Sequence, residues 1–329
     1  MGMNLKMRKG ESEMKSLSLK TFTLAGLLAV ALVTPSLAPA GSFEQIVVFG
    51  TSLSDPGNAF YLKRTVSADE VQLTPPYDTL DQLLIPSSPY AKGGHHFSNG
   101  ATWIEQLARP MGLEGSVRPA FVGSGGANNY AVGGARAYED GVNVNLPYQV
   151  NAFLDKSGGV APSDALYVVE FGSNDIRDAF ENPAVLTAAL VSIRDNIILL
   201  HEKGARMFLV CNAPDIGLTP AVLSLGPGAS ALATALTITF NVGLDGLMVT
   251  LAGLPGIEIA KFDVYQKIHD VVADPDLFDL TVVNQACIMP DVPPFKCMKP
   301  DEYLFWDGIH PTKAGHAIFA EGAASVLLP

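Results

Sequence analysis

The chain has 329 residues, 48% of them apolar and 16% charged, with a formal net charge of −12. Such a chain is too apolar to be disordered, and its excess of carboxylates repels phosphate backbones, which argues against nucleic acid as a partner. Three cysteines and six histidines show no metal-ligand spacing, so no metal or other cofactor is expected.

Residues 1–40 read as a secretory signal. Lys15 and Lys20 precede the apolar run "LAGLLAVALV", and "PSLAPA" offers small residues for cleavage after Ala38 or Ala40. Residues 1–13 look superfluous to it, because Met14-Lys15 would itself make a start. The apolar run is too short and too Pro-bounded for a membrane span. Export to the periplasm or the medium follows as an expectation. The remainder, 41–329, is long enough for one domain, and loss of the signal takes the formal charge to −15.

A first strand is expected at "QIVVFG" (45–50), running into the small polar turn "TSLSDPGN" (51–58). Residues 61–94, with "PP", "SSP" and "KGG", read as a long excursion that could present an apolar rim. "TWIEQLARPMG" (102–112) has helical periodicity and stops at a glycine. "ALYVVEFG" (165–172) is a second buried strand, followed by a long amphipathic helix at 183–204. "ARMFLVCNAP" (205–214) is a third strand, 229–253 another helix, and "IEIAKFD" (257–263) a fourth strand. Apolar strands separated by helices make a parallel sheet with helices on both faces, and in such sheets the sites lie at the carboxyl ends of the strands. In an exported chain the close pair Cys287 and Cys297 reads as a local disulfide, with Cys211 buried at a strand end.

Four short stretches carry chemistry. Ser52, in the first strand-end turn, is a candidate nucleophile and needs a base, an orienting acid and an oxyanion site. Far downstream, "FWDGIHPT" places Asp307 three residues before His310, with Gly308 permitting a tight turn. An acid that holds the imidazole tautomer is what a base for serine requires. Asn174, in "EFGSNDIRDA", and the glycines of "NNYAVGGARA" are candidate oxyanion donors, one through a side-chain amide and the other through a backbone N–H. The Gly-x-Ser-x-Gly elbow of the α/β-hydrolases is absent, and "GSGGAN" (123–128) lacks the third glycine of a dinucleotide fingerprint.

In chain order (Ser52, the glycines, Asn174, then Asp307 and His310) the four blocks resemble the GDSL family of the SGNH hydrolases, across nearly the whole mature chain. "FSNGATWIEQLA" (97–108), "NAPDIGLTP" (212–220) and the cysteine-flanked loop before the last block strengthen the likeness. The resemblance implies a three-layer α/β/α sandwich of flavodoxin-like type. It implies Ser52 as nucleophile, Asp307 and His310 as acid and base, and an oxyanion hole from Ser52, Gly134 (Gly133 the close alternative) and Asn174. It also implies a secreted, cofactor-free ester hydrolase, most simply a monomer, that acts on a small-molecule or lipid ester. Phospholipases, lysophospholipases and acyltransferases belong to the same family. One position departs from the pattern: "GTSL" stands where the family has "GDSL", with Thr51 replacing the acid. A non-catalytic binding protein on the same scaffold is the alternative of a different class.

Overall fold

Four strands form one parallel sheet in the order β1 (Gln45–Gly50), β2 (Ala165–Glu170), β3 (Met207–Cys211), β4 (Glu258–Phe262). The computed structural model describes residues 43–63, 95–123, 125–288 and 296–327. The expected signal segment, residues 64–94 of the excursion and residues 289–295 of the cysteine loop lie outside them.

Side chains alternate strictly between the two faces of the sheet. Val47, Phe49, Tyr167, Val169, Phe208 and Val210 enter one core, and Ile46, Val48, Leu166, Val168, Leu209 and Cys211 the other. A strand covered on both faces must be apolar at every position, which is why these segments read as unbroken apolar runs. The first core is closed by α3 (Leu146–Lys156), α5 (Ala184–Glu202) and α7 (Pro227–Leu251), and the second by α2 (Trp103–Ala108) and α9 (Lys313–Leu327). The result is the expected three-layer α/β/α sandwich. By length and composition α5 and α7 could each cross a membrane, yet Ile193, Ile197, Phe240 and Leu244 pack them onto the sheet.

The four strands and three longest expected helices fall within a few residues of their sequence positions. Differences arise where tertiary contacts override local pattern. The segment at 128–132 runs beside β1: Val48 N–H donates to Asn128 O at 2.9 Å, Tyr130 N–H to Val48 O at 2.8 Å, and Val132 N–H to Gly50 O at 3.2 Å. Counted as a strand, it makes the order 2-1-3-4-5, a doubly wound sheet whose direction of growth reverses between β1 and β2. A further parallel pair, β5 (Val282–Ala286) and β6 (Tyr303–Phe305), carries the downstream acid–base block. The remaining helices are α1 (Asn58–Lys63), α4 (Ser173–Ala179), α6 (Pro220–Ser224) and α8 (Val264–Ala273). Cys287 and Cys297 are joined, and Cys211 is free and buried at the end of β3.

Candidate active site

The turn after β1 is held by acceptors in its own sequence and in the neighbouring strand. Asp55 accepts the N–H groups of Gly57, Asn58 and Ala59 at 2.7, 2.6 and 3.0 Å, and reaches across to the N–H of Gly133 at 2.8 Å. Burial outweighs those four bonds and raises the Asp55 carboxyl to about 6. Asn58 donates to Asn129 O and Ala131 O, both at 2.8 Å, fixing the turn to the added strand. Ser52 is left half-buried at the rim.

Directly below, Glu170 ends β2 and points its carboxyl at the same turn. It accepts the Thr51 N–H at 3.0 Å, the Thr51 hydroxyl at 3.0 and 3.1 Å, and the Ser54 hydroxyl at 3.0 Å. Ser54 in turn accepts the Trp103 indole N–H at 2.9 Å. Thr51 is therefore a donor to a buried acid supplied by the next strand. Glu170 is 5% exposed, and burial raises its carboxyl to about 7.

The acid–base block folds as a tight reversal. Asp307 Oδ1 accepts the N–H groups of Ile309 and His310 at 2.8 and 2.7 Å, and the His310 carbonyl accepts Trp306 N–H at 2.8 Å. This leaves Asp307 Oδ2 2.7 Å from His310 Nδ1. The other ring nitrogen, Nε2, lies 2.8 Å from Ser52 Oγ, across 258 residues of sequence. Asp307 and His310 are 1% and 5% exposed. The "FSNG" block clamps the reversal: Ser98 donates to Pro311 O at 2.8 Å, Lys313 N–H to Asn99 Oδ1 at 2.6 Å, and the Phe97 ring lies 5.1 Å from the imidazole. Trp306 packs against the Cys287–Cys297 bridge.

Gly133 and Gly134 differ sharply. A Cβ on Gly133 would stand 2.1 Å from the Phe97 ring, and its N–H is already given to Asp55. Gly134 adopts φ +84°, a conformation that favours glycine, and its N–H has no partner among the described residues. Asn174 donates one amide hydrogen to Ala135 O at 2.8 Å, which fixes the side chain and leaves the second hydrogen over. Asp175 accepts Ala137 N–H at 2.9 Å and ties α4 to the glycine block, and burial raises its carboxyl to about 7.

The structure thus brings Ser52, Asp307, His310, Gly134 and Asn174 to one end of the sheet, at the reversal between β1 and β2. Beside Ser52 opens a cleft of about 690 Å³, counting space open to solvent, with Leu53, Pro214, Ile216, Val222, Ile268 and Ile309 in its wall. His96 faces away and pairs with Glu105 at 2.9 Å, and His316 accepts Trp103 N–H inside the second core, where burial lowers it to about 3. Among the described residues no group of three His, Cys, Asp or Glu could hold a metal ion. The sequence reading missed Glu170, Asp175 and Phe97. For Glu170 a signal existed, since an acid at the end of an otherwise apolar buried strand needs donors nearby.

The family model for GDSL-like lipases and acylhydrolases matches residues 46–323. The chain belongs to that family. Among curated proteins this GDSL hydrolase is similar to three GDSL esterase/lipases of Arabidopsis thaliana. They are 23%, 25% and 26% identical over 94%, 92% and 83% of this chain and 97%, 93% and 83% of theirs. It also superposes with a TM-score of 0.40 and 14% identity on a Bacillus subtilis protein of known crystal structure, covering 86% of this chain and 55% of that one. A hydrolase of the esterase/lipase type follows from the family.

Proposed function

We propose that this GDSL hydrolase cleaves carboxylic esters through an acyl-enzyme on Ser52. The observation that carries the reading is the unbroken relay from Ser52 Oγ to His310 Nε2 at 2.8 Å and from His310 Nδ1 to Asp307 at 2.7 Å. His310 takes the proton from Ser52 as Oγ attacks the acyl carbonyl. Asp307 keeps Nδ1 protonated and stabilises the imidazolium that forms. The oxyanion is met by the N–H groups of Ser52 and Gly134 and by the spare Asn174 amide hydrogen. The alcohol leaves with the proton from His310. Water then attacks the acyl-enzyme, with His310 again as base.

The apolar wall of the cleft suits the acyl chain. In this reading Gly134, not Gly133, is the backbone donor, because the Gly133 N–H is spent on Asp55. The reading includes an exported enzyme that loses residues 1–40 and works as a monomer of one domain, 41–329, without a membrane span. Replacing Ser52 by Ala should abolish hydrolysis of short p-nitrophenyl esters and labelling by a fluorophosphonate probe, with circular dichroism unchanged. Ser54→Ala should stay active but melt lower, because it strands the Trp103 indole N–H, a loss of about 1–3 kcal/mol. Activity that survives Ser52→Ala and vanishes with Ser54→Ala would overturn the assignment.

A further inference from the structure

The wall of the cleft contains three polar side chains that the reaction does not use, of which Thr219 is satisfied by a bond to Ile216 O and Ser173 and Arg177 are not. Ser173 and Arg177 lie four residues apart on α4, on the same face of the helix, with Asn174 between them in sequence. Ser173 Oγ and Arg177 Nη2 are both buried and both lack a hydrogen-bond partner. A buried donor on a charged group is normally paired, since leaving it bare costs more than the bond itself would contribute.

The missing partner has a visible cause. The nearest carboxylate, Asp178, is already taken: Arg136 donates Nε to Oδ2 at 2.8 Å and Nη2 to Oδ1 at 3.0 Å, and the Tyr138 hydroxyl adds a third bond at 2.9 Å. Arg177 Nε lies 3.7 Å from Asp178 Oδ1, an ion pair longer than a hydrogen bond, so Arg177 shares this carboxylate with Arg136. Burial first, and then the charge of Arg136, push the Arg177 guanidinium below its ordinary pKa. One carboxylate thus serves two guanidinium groups, and Arg177 Nη2 is left without a partner beside an otherwise largely apolar cleft.

We propose that Ser173 and Arg177 form a subsite of the cleft that binds an anionic oxygen group, a carboxylate or a phosphate, carried by the ester substrate. The proposal rests on Ser52 as the nucleophile of that cleft. Arg177 lies three residues past Asn174, about 4.5 Å farther along the helix axis. The anionic group therefore sits only a few bonds from the scissile carbonyl. A half-ester of a short dicarboxylic acid would supply it from the acyl side, and a lysophospholipid from the alcohol side. The net charge of −12 disfavours anions at long range, so Arg177 acts by contact and not by steering.

The test compares charged with neutral esters in wild type, Arg177→Gln and Arg177→Lys. On the acyl side the pair is the p-nitrophenyl half-ester of glutaric acid against p-nitrophenyl butyrate. On the alcohol side it is lysophosphatidate against monoacylglycerol. In the arm that supplies the natural group, the charged-to-neutral ratio of kcat/KM should fall about 10- to 100-fold in Arg177→Gln, the usual worth of a hydrogen bond to a charged group. It should fall less in Arg177→Lys, which keeps the charge. Ratios unchanged in both arms would overturn the proposal and make Arg177 a brace for α4 or the holder of a water. A second measurement is independent of turnover: calorimetric binding of the same charged esters to Ser52→Ala, with and without Arg177→Gln. Equal affinities would overturn the subsite even if the enzyme were inactive. A weakened affinity in an inactive wild type would retain the subsite and reject the nucleophile.

Discussion

Converting Glu170 to glutamine changes one oxygen to an amide and removes a titration. The folded carboxyl holds its proton up to about pH 7, whereas the unfolded chain loses it near 4.5. Between those values the native state binds the extra proton, so stability falls as pH rises, by up to about 1.4 kcal/mol per pH unit and about 3 kcal/mol in all. The glutamine amide does not titrate. Its oxygen can still accept the Thr51 N–H, and its NH2 can donate to a hydroxyl of Thr51 or Ser54, so the turn keeps most of its bonds. Urea unfolding followed by circular dichroism at pH 5, 6, 7 and 8 should therefore give a shallower decline for Glu170→Gln than for wild type. The two lines should converge toward low pH, draw apart up to about pH 7 and keep a constant gap above it. Some slope should remain in the variant, because Asp55 and Asp175 are also raised, to about 6 and about 7. Lines that run parallel across the whole range would show that Glu170 does not titrate there, and would refute the account of Thr51 as donor to a buried, partly protonated acid.

Asn174→Ala should lower kcat by roughly 100-fold or more and leave KM little changed, because the oxyanion exists only beyond the ground state. Steady-state kinetics with one p-nitrophenyl ester decide it, and a raised KM at normal kcat would make Asn174 a binding residue. Closing the ten-residue span from Cys287 to Cys297 should stabilise the fold by about 2–3 kcal/mol in the entropic model. Non-reducing alkylation in denaturant should modify Cys211 alone, and a melting temperature unchanged by reduction would contradict the estimate.

The parallel sheet was legible because β1, β2 and β3 are buried on both faces and read as unbroken apolar runs, while the edge strand β4 is only partly covered and carries Glu258 and Lys261. The relay was legible because its two ends lie in short blocks whose spacing is set by a turn: Asp307 meets His310 through backbone N–H groups three residues away, which sequence can suggest. What could not be read were relations between blocks. That Gly133 is filled by the Phe97 ring and spent on Asp55, leaving Gly134 as the free donor, depends on contacts 36 and 78 residues apart. Thr51 looked like a lost acid on its own strand; only the parallel register, with Gly50 beside Glu170, brings a carboxyl to it from the neighbour. The added strand at 128–132 is equally invisible, since Asn128 to Val132 carry no alternating pattern and are extended by their bonds to β1.

The span of 258 residues between Ser52 and His310 also has a kinetic side. Contacts so distant along the chain close large loops and form late, after local helices and adjacent strands have assembled. Enzymatic activity should therefore be the last signal to return in a refolding experiment, lagging behind ellipticity. If Ser52 and His310 act as proposed, a ribosome-bound chain that has not yet delivered Asp307 and His310 holds its serine without a base and is inactive until synthesis ends.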